Sequence, residues 1–304
     1  MKTIAIIGEC MIELNGTPFG IMRQTYGGDT LNTATYLARN TRRDVLRVDY
    51  ITALGDDPLS RGMRARWEAD GIDTRHVHTD PAHPPGLYLI QLDDSGERTF
   101  LYWRSNSAAR HLLQHPAWPQ TAAALAAYDH LYLSGISLAI LPPADRGQLI
   151  DTLIHSGVPI AFDGNYRPAL WQNPAETRAA YARLLPHVQL ALMTWDDEQA
   201  LWHDAAPEAA IVRLQQAGVR EIVLKNGAAG ATCASGDSRI SVPAERVNDV
   251  VDTTAAGDAF NAGYLTARLQ GADPAASCAN GNRLAARVIR HKGAIIAAED
   301  SRLD

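Results

Sequence analysis

The stretch DTTAAGDAFNAG, residues 252–263, places small residues directly before a single acid, Asp258. The residues that follow predict a helix, because apolar and small side chains recur at helical spacing. Asp258 would then lie in the first helical turn, next to the backbone N–H groups of Ala255, Ala256 and Gly257. A helix start carries unpaired N–H groups and partial positive charge, so it can hold an anion. The stretch alone leaves open the alternative that Asp258 is an ordinary helix cap.

Length and charge bound the class of protein. The chain has 304 residues, of which 20% are charged, and its formal net charge is −6. This length allows one large domain, or one domain plus a small appendage, with a large apolar core, and we expect a single domain over residues 1–304. The negative charge argues against nucleic acid or a membrane surface as the main partner. An anionic small molecule is still compatible, because two local arginines could bind it.

The cysteines and the amino terminus predict the cellular compartment of the protein. Cys10, Cys233 and Cys278 have no CxxC spacing, which predicts reduced thiols rather than a disulfide framework or a zinc site. The start MKTIAIIGEC is too short an apolar run for a signal peptide, and no segment approaches the length of a membrane span. We therefore expect a cytoplasmic protein.

Short apolar runs alternate with helical patterns along most of the chain. The runs TIAIIG, VDYITALG, HLYLSG, PIAFD, VQLALMT and EIVLK predict strands, several of them apolar enough for a sheet covered on both faces. Helices are predicted over residues 30–42, 58–70, 142–155, 174–185, 207–217 and 282–294. This alternation predicts an α/β fold with a mostly parallel central sheet and helices on both faces. Ligands in such sheets bind at the carboxyl ends of the strands.

One segment interrupts this alternation. GLYLIQLDDSGERTFLYWR, residues 86–104, predicts two strands joined by a turn at Asp94-Ser95-Gly96. Together with residues 11–28 it would form a small antiparallel sheet beside the main one. A β-lid that excludes water from the active site is one interpretation, and a decoration at the edge of the sheet is the other.

Three further segments bring glycine or polar side chains to places where a ligand could lie. In YGGDTLNTATYLA, Gly28 allows close approach of the backbone and Asn32 lies in the helix that follows. In FDGNYRPALW, Asn165 and Arg167 follow a predicted strand, and Arg167 could bind a carboxylate or phosphate. The segment KNGAAG, residues 225–230, follows another strand. Taken singly, the first segment could be a structural turn, the second a surface salt bridge and the third a tight loop, without any ligand.

Two signature segments carry a resemblance to a known family. GGDTLNTA and DTTAAGDAFNAGYL resemble the signatures of the ribokinase-like (PfkB) sugar kinases, and the resemblance extends over essentially the whole chain. The family usually has Gly-Ala-Gly-Asp where this chain has Ala255-Ala256-Gly257-Asp258, a change that keeps the backbone donors. The resemblance implies a ribokinase-like fold and transfer of a phosphoryl group from ATP to a sugar hydroxyl. Asp258 would be the general base, and the backbone of residues 255–258 an anion hole.

The substrate and the binding residues follow from the same resemblance. YWRSNSAAR and DGNYRPALW are most similar to the kinases of 2-keto-3-deoxygluconate, a sugar acid phosphorylated on its C6 hydroxyl. Fructokinases share the Asp-x-Asn-x-Arg element, so a neutral ketose is the alternative substrate. The implied sugar-acid pocket comprises Gly28, Asp29, Thr30, Leu31, Asn32, Tyr88, Tyr102, Trp103, Arg104, Arg167 and Asp258. The implied ATP site comprises Asn165, Arg167, Lys225, Asn226, Gly227, Ala228, Ala229, Gly230, Ala255, Ala256, Gly257 and Asn282.

The resemblance also implies Mg²⁺ alongside ATP and allows a monovalent cation. The magnesium-associated Asn-x-x-Glu element of the family is altered here, since Thr194 and Asp197 occupy that spacing with Glu198 adjacent. Asp197 is therefore a candidate outer-shell contact, and no metal ligand is assigned firmly. Asp252 and Thr254 would lie near the monovalent-cation loop of relatives.

A function of another class and an oligomeric state complete the expectations. The chain could be a non-catalytic sugar-binding protein on this fold, but a binding module has no need for the base Asp258 or its anion-hole loop. The predicted lid would expose apolar residues such as Leu89 and Leu101. Because large apolar patches favour association, the lid predicts a homodimer paired through its strands.

Overall fold

A nine-stranded sheet organises the structure, a computed structural model that describes residues 1–17, 19–92 and 98–303. In chain order the strands of the molecule are β1 (Lys2–Ile7), β2 (Met11–Gly16), β3 (Met22–Gly27), β4 (Leu46–Gly55), β5 (Val77–Asp80), β6 (Leu87–Leu92), β7 (Arg98–Trp103), β8 (His130–Ser134), β9 (Ile160–Asp163), β10 (Val188–Thr194), β11 (Glu221–Lys225), β12 (Ala231–Ser235) and β13 (Ser238–Val242). The large sheet has the order β13-β12-β11-β10-β9-β8-β1-β4-β5. Its pairings are parallel from β11 to β5 and antiparallel at β11–β12 and β12–β13.

Apolar side chains cover both faces of this sheet. Successive residues of β1 show this directly: Ile4 and Ile6 pack into one buried apolar cluster, whereas Ala5 and Ile7 pack into another. Because neighbouring strand residues point to opposite faces, both faces must be covered by helices. The predicted α/β fold with a mostly parallel sheet is confirmed, and each strand predicted from an apolar run is present.

Each predicted helix is present, together with shorter helices that the sequence did not indicate. The helices are α1 (Asp29–Arg39), α2 (Pro58–Asp70), α3 (Trp118–Ala124), α4 (Gly135–Ala139), α5 (Pro143–Ser156), α6 (Pro174–Leu184), α7 (Trp195–Trp202), α8 (Pro207–Gln216), α9 (Ala256–Leu269), α10 (Pro274–Val288) and α11 (Ala298–Ser301). The helix predicted over residues 282–294 is wrong in its bounds. The helix begins earlier, at Pro274, because the side chain of Asp273 accepts a hydrogen bond from the N–H of Ala276 and so caps the helix start. It ends at Val288.

Residues from both predicted lid segments form a second sheet of four strands, in the order β3-β2-β6-β7. Its two hairpins are antiparallel, and the central pair β2–β6 runs parallel. Leu101 and Trp103 on β7 are exposed, whereas Leu89 on β6 is only half-buried. The turn predicted at Asp94-Ser95-Gly96 lies outside the described residues. That this sheet acts as a lid within one domain stays a prediction.

One sequence-based expectation about the cysteines is wrong. Cys233 on β12 and Cys278 on α10 form a disulfide, and Cys10 is a free, buried thiol. The pair is 45 residues apart and has no motif spacing, so no sequence pattern indicated this disulfide. Packing of α10 against the antiparallel edge strands brings the two sulfur atoms together. Among the described residues, no helix is both long and apolar enough to cross a membrane.

Candidate active site

Two adjoining cavities lie at the carboxyl ends of the central strands. The smaller, about 420 Å³, opens beneath the four-stranded sheet, and the larger, about 690 Å³, lies beside α9 and α10. Their walls share Thr194, Lys225, Thr253, Ala256 and Gly257. A ligand in one cavity can therefore meet a ligand in the other at the start of α9.

The start of α9 presents backbone donors to this junction. Ala255 precedes the helix in a left-handed conformation, with a φ of 59°, and the N–H of Ala256 donates to Thr253 O at 3.2 Å. The N–H groups of Gly257 and Asp258 make no hydrogen bond within the described residues. Free N–H groups at a helix start bind anions, so the geometry fits the anion hole predicted from the sequence.

Asp258 lies at the same junction, half-buried in the first turn of α9. Its Oδ2 accepts a hydrogen bond of 2.8 Å from Asn32 Nδ2. Burial, followed by the negative charge of Asp29, raises the pKa of Asp258 well above the ordinary carboxyl range, and the Asn32 bond offsets part of this rise. A carboxylate with a raised pKa accepts a proton more readily, which suits a general base working near neutral pH.

The loop after β9 faces the smaller cavity. Asn165 Nδ2 donates to Asp29 Oδ2 at 2.7 Å, and Arg167 forms an ion pair of 3.2 Å with Asp197. Both Asn165 and Arg167 line the smaller cavity, not the larger one. Their assignment to ATP stays a prediction, and in this structure they face the space beneath the small sheet.

The predicted sugar pocket is brought together in part. Gly28, Asp29, Asn32, Tyr88, Tyr102, Arg167 and Asp258 line the smaller cavity, joined by Met11 and Phe100. Thr30 and Leu31 are fully buried on the inner side of α1, where Thr30 contacts the hydroxyl of Tyr50 at 2.9 Å. Trp103 and Arg104 do not contribute to the cavity wall.

Two buried glutamates anchor the small sheet beside this cavity. Tyr88 donates to Glu13, and Arg104 donates to Glu9, which also accepts from Ser107 Oγ at 2.5 Å. Arg104 is thus already paired at the base of the sheet. Sequence reasoning missed Glu9, although an acidic residue two positions after a buried strand was a usable signal.

The larger cavity gathers most of the predicted ATP residues. Lys225, Gly227, Ala228, Gly230, Ala256, Gly257 and Asn282 line it, whereas Asn226, Ala229 and Ala255 do not. Gly230 has a φ of +94°, and a Cβ there would lie 2.1 Å from Val242 O, so only glycine fits. Asn282 donates to Pro243 O at 2.9 Å and so joins α10 to the segment after β13.

Apolar residues that the sequence did not indicate complete the larger cavity. Val247, Val250, Phe260 and Ile289 contribute to its wall. Flat heterocycles bind in apolar clefts with a few polar groups placed around them, so this wall suits a nucleobase. Val250 and Ile289 come from segments with no motif, which explains why only the folded chain reveals them.

Metal-binding residues are not clustered in the part of the chain that the structure describes. No group of three or more His, Cys, Asp or Glu side chains there could hold a metal ion. The carboxyl of Asp197 is engaged by Arg167, and burial raises its pKa. Asp252 accepts hydrogen bonds from the N–H of Thr254 at 2.8 Å and of Gly293 at 2.9 Å. A divalent cation would therefore need oxygen ligands from a bound phosphate as well.

Comparison with known proteins decides the family. The family model for pfkB family carbohydrate kinases matches residues 1–301. The chain belongs to the pfkB family of carbohydrate kinases. It is therefore an ATP-dependent kinase, and the resemblance drawn from the two signature segments is confirmed.

Relatives within this family are similar over nearly the full length. The chain is 52% identical to the 2-dehydro-3-deoxygluconokinase of Haemophilus influenzae over 97% of this chain and 96% of the relative. It is 43% identical to the protein of the same name from Escherichia coli K12, over 98% of each chain. Among solved structures, a PfkB protein from Polaromonas sp. JS666 superposes with a TM-score of 0.82 at 27% identity, covering 95% of this chain and 96% of that one.

Proposed function

We propose that this kinase transfers the γ-phosphoryl group of ATP to the C6 hydroxyl of 2-keto-3-deoxygluconate, giving the 6-phosphate. The observation that carries the proposal is the position of Asp258, which lies where the two cavities meet and beside backbone N–H groups that make no hydrogen bond to any described residue. The name of the similar relatives, 2-dehydro-3-deoxygluconokinase, is a synonym for a kinase of this sugar acid and supports the choice of substrate.

The geometry supplies each part of a phosphoryl transfer. The sugar occupies the smaller cavity with its far hydroxyl next to Asp258, which takes the proton as the oxygen attacks. ATP occupies the larger cavity with its phosphates toward α9, where the N–H groups of Gly257 and Asp258 bind the charge that accumulates on the moving oxygens. Lys225 lines both cavities and adds a cation at the same point. A binding protein would have no use for this arrangement.

Recognition of the acid end needs a cation on the far side of the sugar. Arg167 lies in the wall of the smaller cavity, and Arg104 directly follows β7, the last strand of the small sheet. We assign the C1 carboxylate to one or both of these guanidinium groups, with hydroxyl hydrogen bonds from Tyr88 and Tyr102. Fructose offers no negative charge to them, so a fructokinase activity is the weaker alternative.

The cations and the cellular location of the enzyme belong to the same proposal. Mg²⁺ would arrive with the phosphates of ATP and neutralise their charge, with Asp197 as an outer-shell contact. A monovalent cation would bind near the loop that contains Asp252 and Thr254. Because ATP and a free sugar acid are metabolites of the cell interior, we place the enzyme in the cytoplasm.

A panel assay tests the substrate directly. ADP release is measured with 2-keto-3-deoxygluconate, its galactonate epimer, fructose and ribose at equal concentrations. The expected result is the highest kcat/KM for one of the two sugar acids. A higher kcat/KM for fructose would overturn the carboxylate assignment, and no ADP release with any of the four sugars would overturn the proposed reaction.

The pH dependence of the reaction provides a second prediction. Asp258 must be deprotonated to act, so kcat/KM is expected to rise with pH along a limb that lies above the ordinary carboxyl value of 3.8. Replacing Asp29 by Asn removes a negative neighbour and should lower the pKa of Asp258. The limb then moves to lower pH in Asp29→Asn, whatever this change does to KM. A limb that stays in place or moves upward would contradict the role of Asp29.

The exposed strand of the small sheet leads to a third prediction. Leu101 and Trp103 are 39% and 58% exposed, which is a high exposure for adjacent apolar side chains on one strand. We expect a homodimer paired through these strands, with the mass of two chains in light scattering at micromolar concentration. Leu101→Lys should shift the mass toward one chain, whereas Val212→Lys on the exposed side of α8 should not. A monomeric parent protein would refute the pairing.

A further inference from the structure

The junction between the cavities contains a buried lysine whose direction is set by a second side chain. Lys225 ends β11, and its side chain is 9% exposed. Its Nζ lies 2.9 Å from Asn261 Oδ1 and 3.5 Å from Asp163 Oδ1. An ammonium group has three N–H donors, so one remains for a ligand in the cavities that Lys225 lines.

The amide of Asn261 has its orientation fixed from the other side. Its Nδ2 donates to Asp163 Oδ2 at 3.0 Å and to the hydroxyl of Tyr132 at 3.1 Å. Both amide hydrogens are then used, so Oδ1 has to face Lys225. Asn261 is fully buried, and it lies on α9 almost one turn after Asp258. A single helix therefore carries the base and the residue that holds Lys225.

We infer that Asn261 is a positioning residue for phosphoryl transfer, because it holds the ammonium of Lys225 toward the point where the two cavities meet. This inference rests on the proposed function. Lys225 uses its remaining N–H donor to bind the oxygens of the phosphoryl group that moves between ATP and the sugar. Without Asn261, the strongest remaining partner of Lys225 is Asp163, which lies deeper in the sheet, and the ammonium would be drawn away from the junction.

The position of the Lys225 ammonium affects the pKa of Asp258. The positive charge of Lys225 lowers the pKa of Asp258, against the upward effects of burial, Asp29 and Asp163, and alongside the hydrogen bond from Asn32. Moving the ammonium away should therefore raise the pKa of Asp258. A residue that merely filled space in α9 would have no such effect on the pH profile.

Asn261→Ala tests the inference. We expect kcat to fall about ten- to a hundredfold, the cost of losing a hydrogen bond to a charged group, while the KM for the sugar stays within about twofold. The acid limb of kcat/KM should move to higher pH. Thr266→Val is the matched control, because Thr266 is also buried on α9 and its hydroxyl donates only within the helix, to Ala262 O at 2.8 Å. The control should keep the parent kcat and pH profile.

A double-mutant cycle separates positioning from structure. In a Lys225→Met background, adding Asn261→Ala should lower kcat by less than about threefold, since there is no ammonium left to place. An equal loss in both backgrounds, or an unchanged pH profile in Asn261→Ala, would overturn the inference. Asn261→Ser replaces Asn261→Ala if the latter does not fold. All measurements use whichever sugar the enzyme phosphorylates, so a wrong substrate assignment leaves this test intact.

Discussion

Asp258→Asn is expected to fold as the parent protein does and to lose turnover by a factor of about 10² to 10⁴. The change keeps the shape of the side chain and its contact with Asn32, and it removes the atom that accepts the proton. The backbone donors of Gly257 and the two cavities remain, so ATP and the sugar should still bind. Steady-state ADP release and calorimetric titration with ATP would measure the two properties separately.

The same change should stabilise the folded protein at neutral pH. In the unfolded chain the carboxyl titrates near 3.8, and in the folded protein it titrates at a higher pH. Between these values the folded state binds more protons than the unfolded state, so the free energy of unfolding falls as the pH rises. Above the folded pKa the full cost of the buried charge remains. Asp258→Asn removes it, so Tm should exceed that of the parent at pH 8 and approach it at pH 4.

A matched variant guards against a general effect of removing an acid from a helix start. Asp273→Asn replaces the cap of α10, and Asn caps helices about as well as Asp. It should keep the turnover of the parent, and its Tm should not exceed that of the parent at either pH 4 or pH 8. Turnover of Asp258→Asn within a few-fold of the parent would refute the assignment of the base.

The fold was predictable because local signals and periodicity agreed along most of the chain. The helix over residues 58–70 was predicted with its true bounds, since Asp57 caps the N–H groups of Leu59 and Ser60 and Gly71 ends the helix with a φ of 102°. The end of α10 was not predictable in this way. Residues 289–294 continue the helical pattern of polarity, yet the N–H of Gly293 bonds Asp252 from a distant part of the chain.

The candidate site was predictable only where a motif carried it. Asp258 and the small residues before it are contiguous, so their chemistry is visible in one segment. Asn261 lies in that same segment, but its role depends on Lys225 and Asp163, which come from two other strands. Asn165 itself has a left-handed backbone conformation, with a φ of 36°, and this conformation determines which cavity its side chain faces. No residue pattern specified it. Contacts between distant segments are what the sequence could not supply.

Arg104→Ala is expected to raise the KM for 2-keto-3-deoxygluconate by about ten- to a hundredfold and to leave the KM for ATP unchanged. The guanidinium donates through one Nη to Glu9, and its Nε is buried without a hydrogen bond among the described residues. Arginine has several N–H donors in a fixed plane, so donors remain for the carboxylate of the substrate while Glu9 is still bound. Initial rates over a range of each substrate would give the two KM values.

The pairing with Glu9 complicates this variant, and a second substitution resolves it. Glu9 is 2% exposed, so removing Arg104 leaves a buried charge without its partner, a change that costs about 3–5 kcal/mol in comparable pairs. Arg104→Ala combined with Glu9→Gln removes both charges and should recover most of the loss in Tm. If Arg104 binds the carboxylate, the double variant keeps the raised KM, and Glu9→Gln alone stays near the parent KM. If Arg104 only balances Glu9, the double variant recovers both Tm and KM, and the carboxylate must then be bound by Arg167.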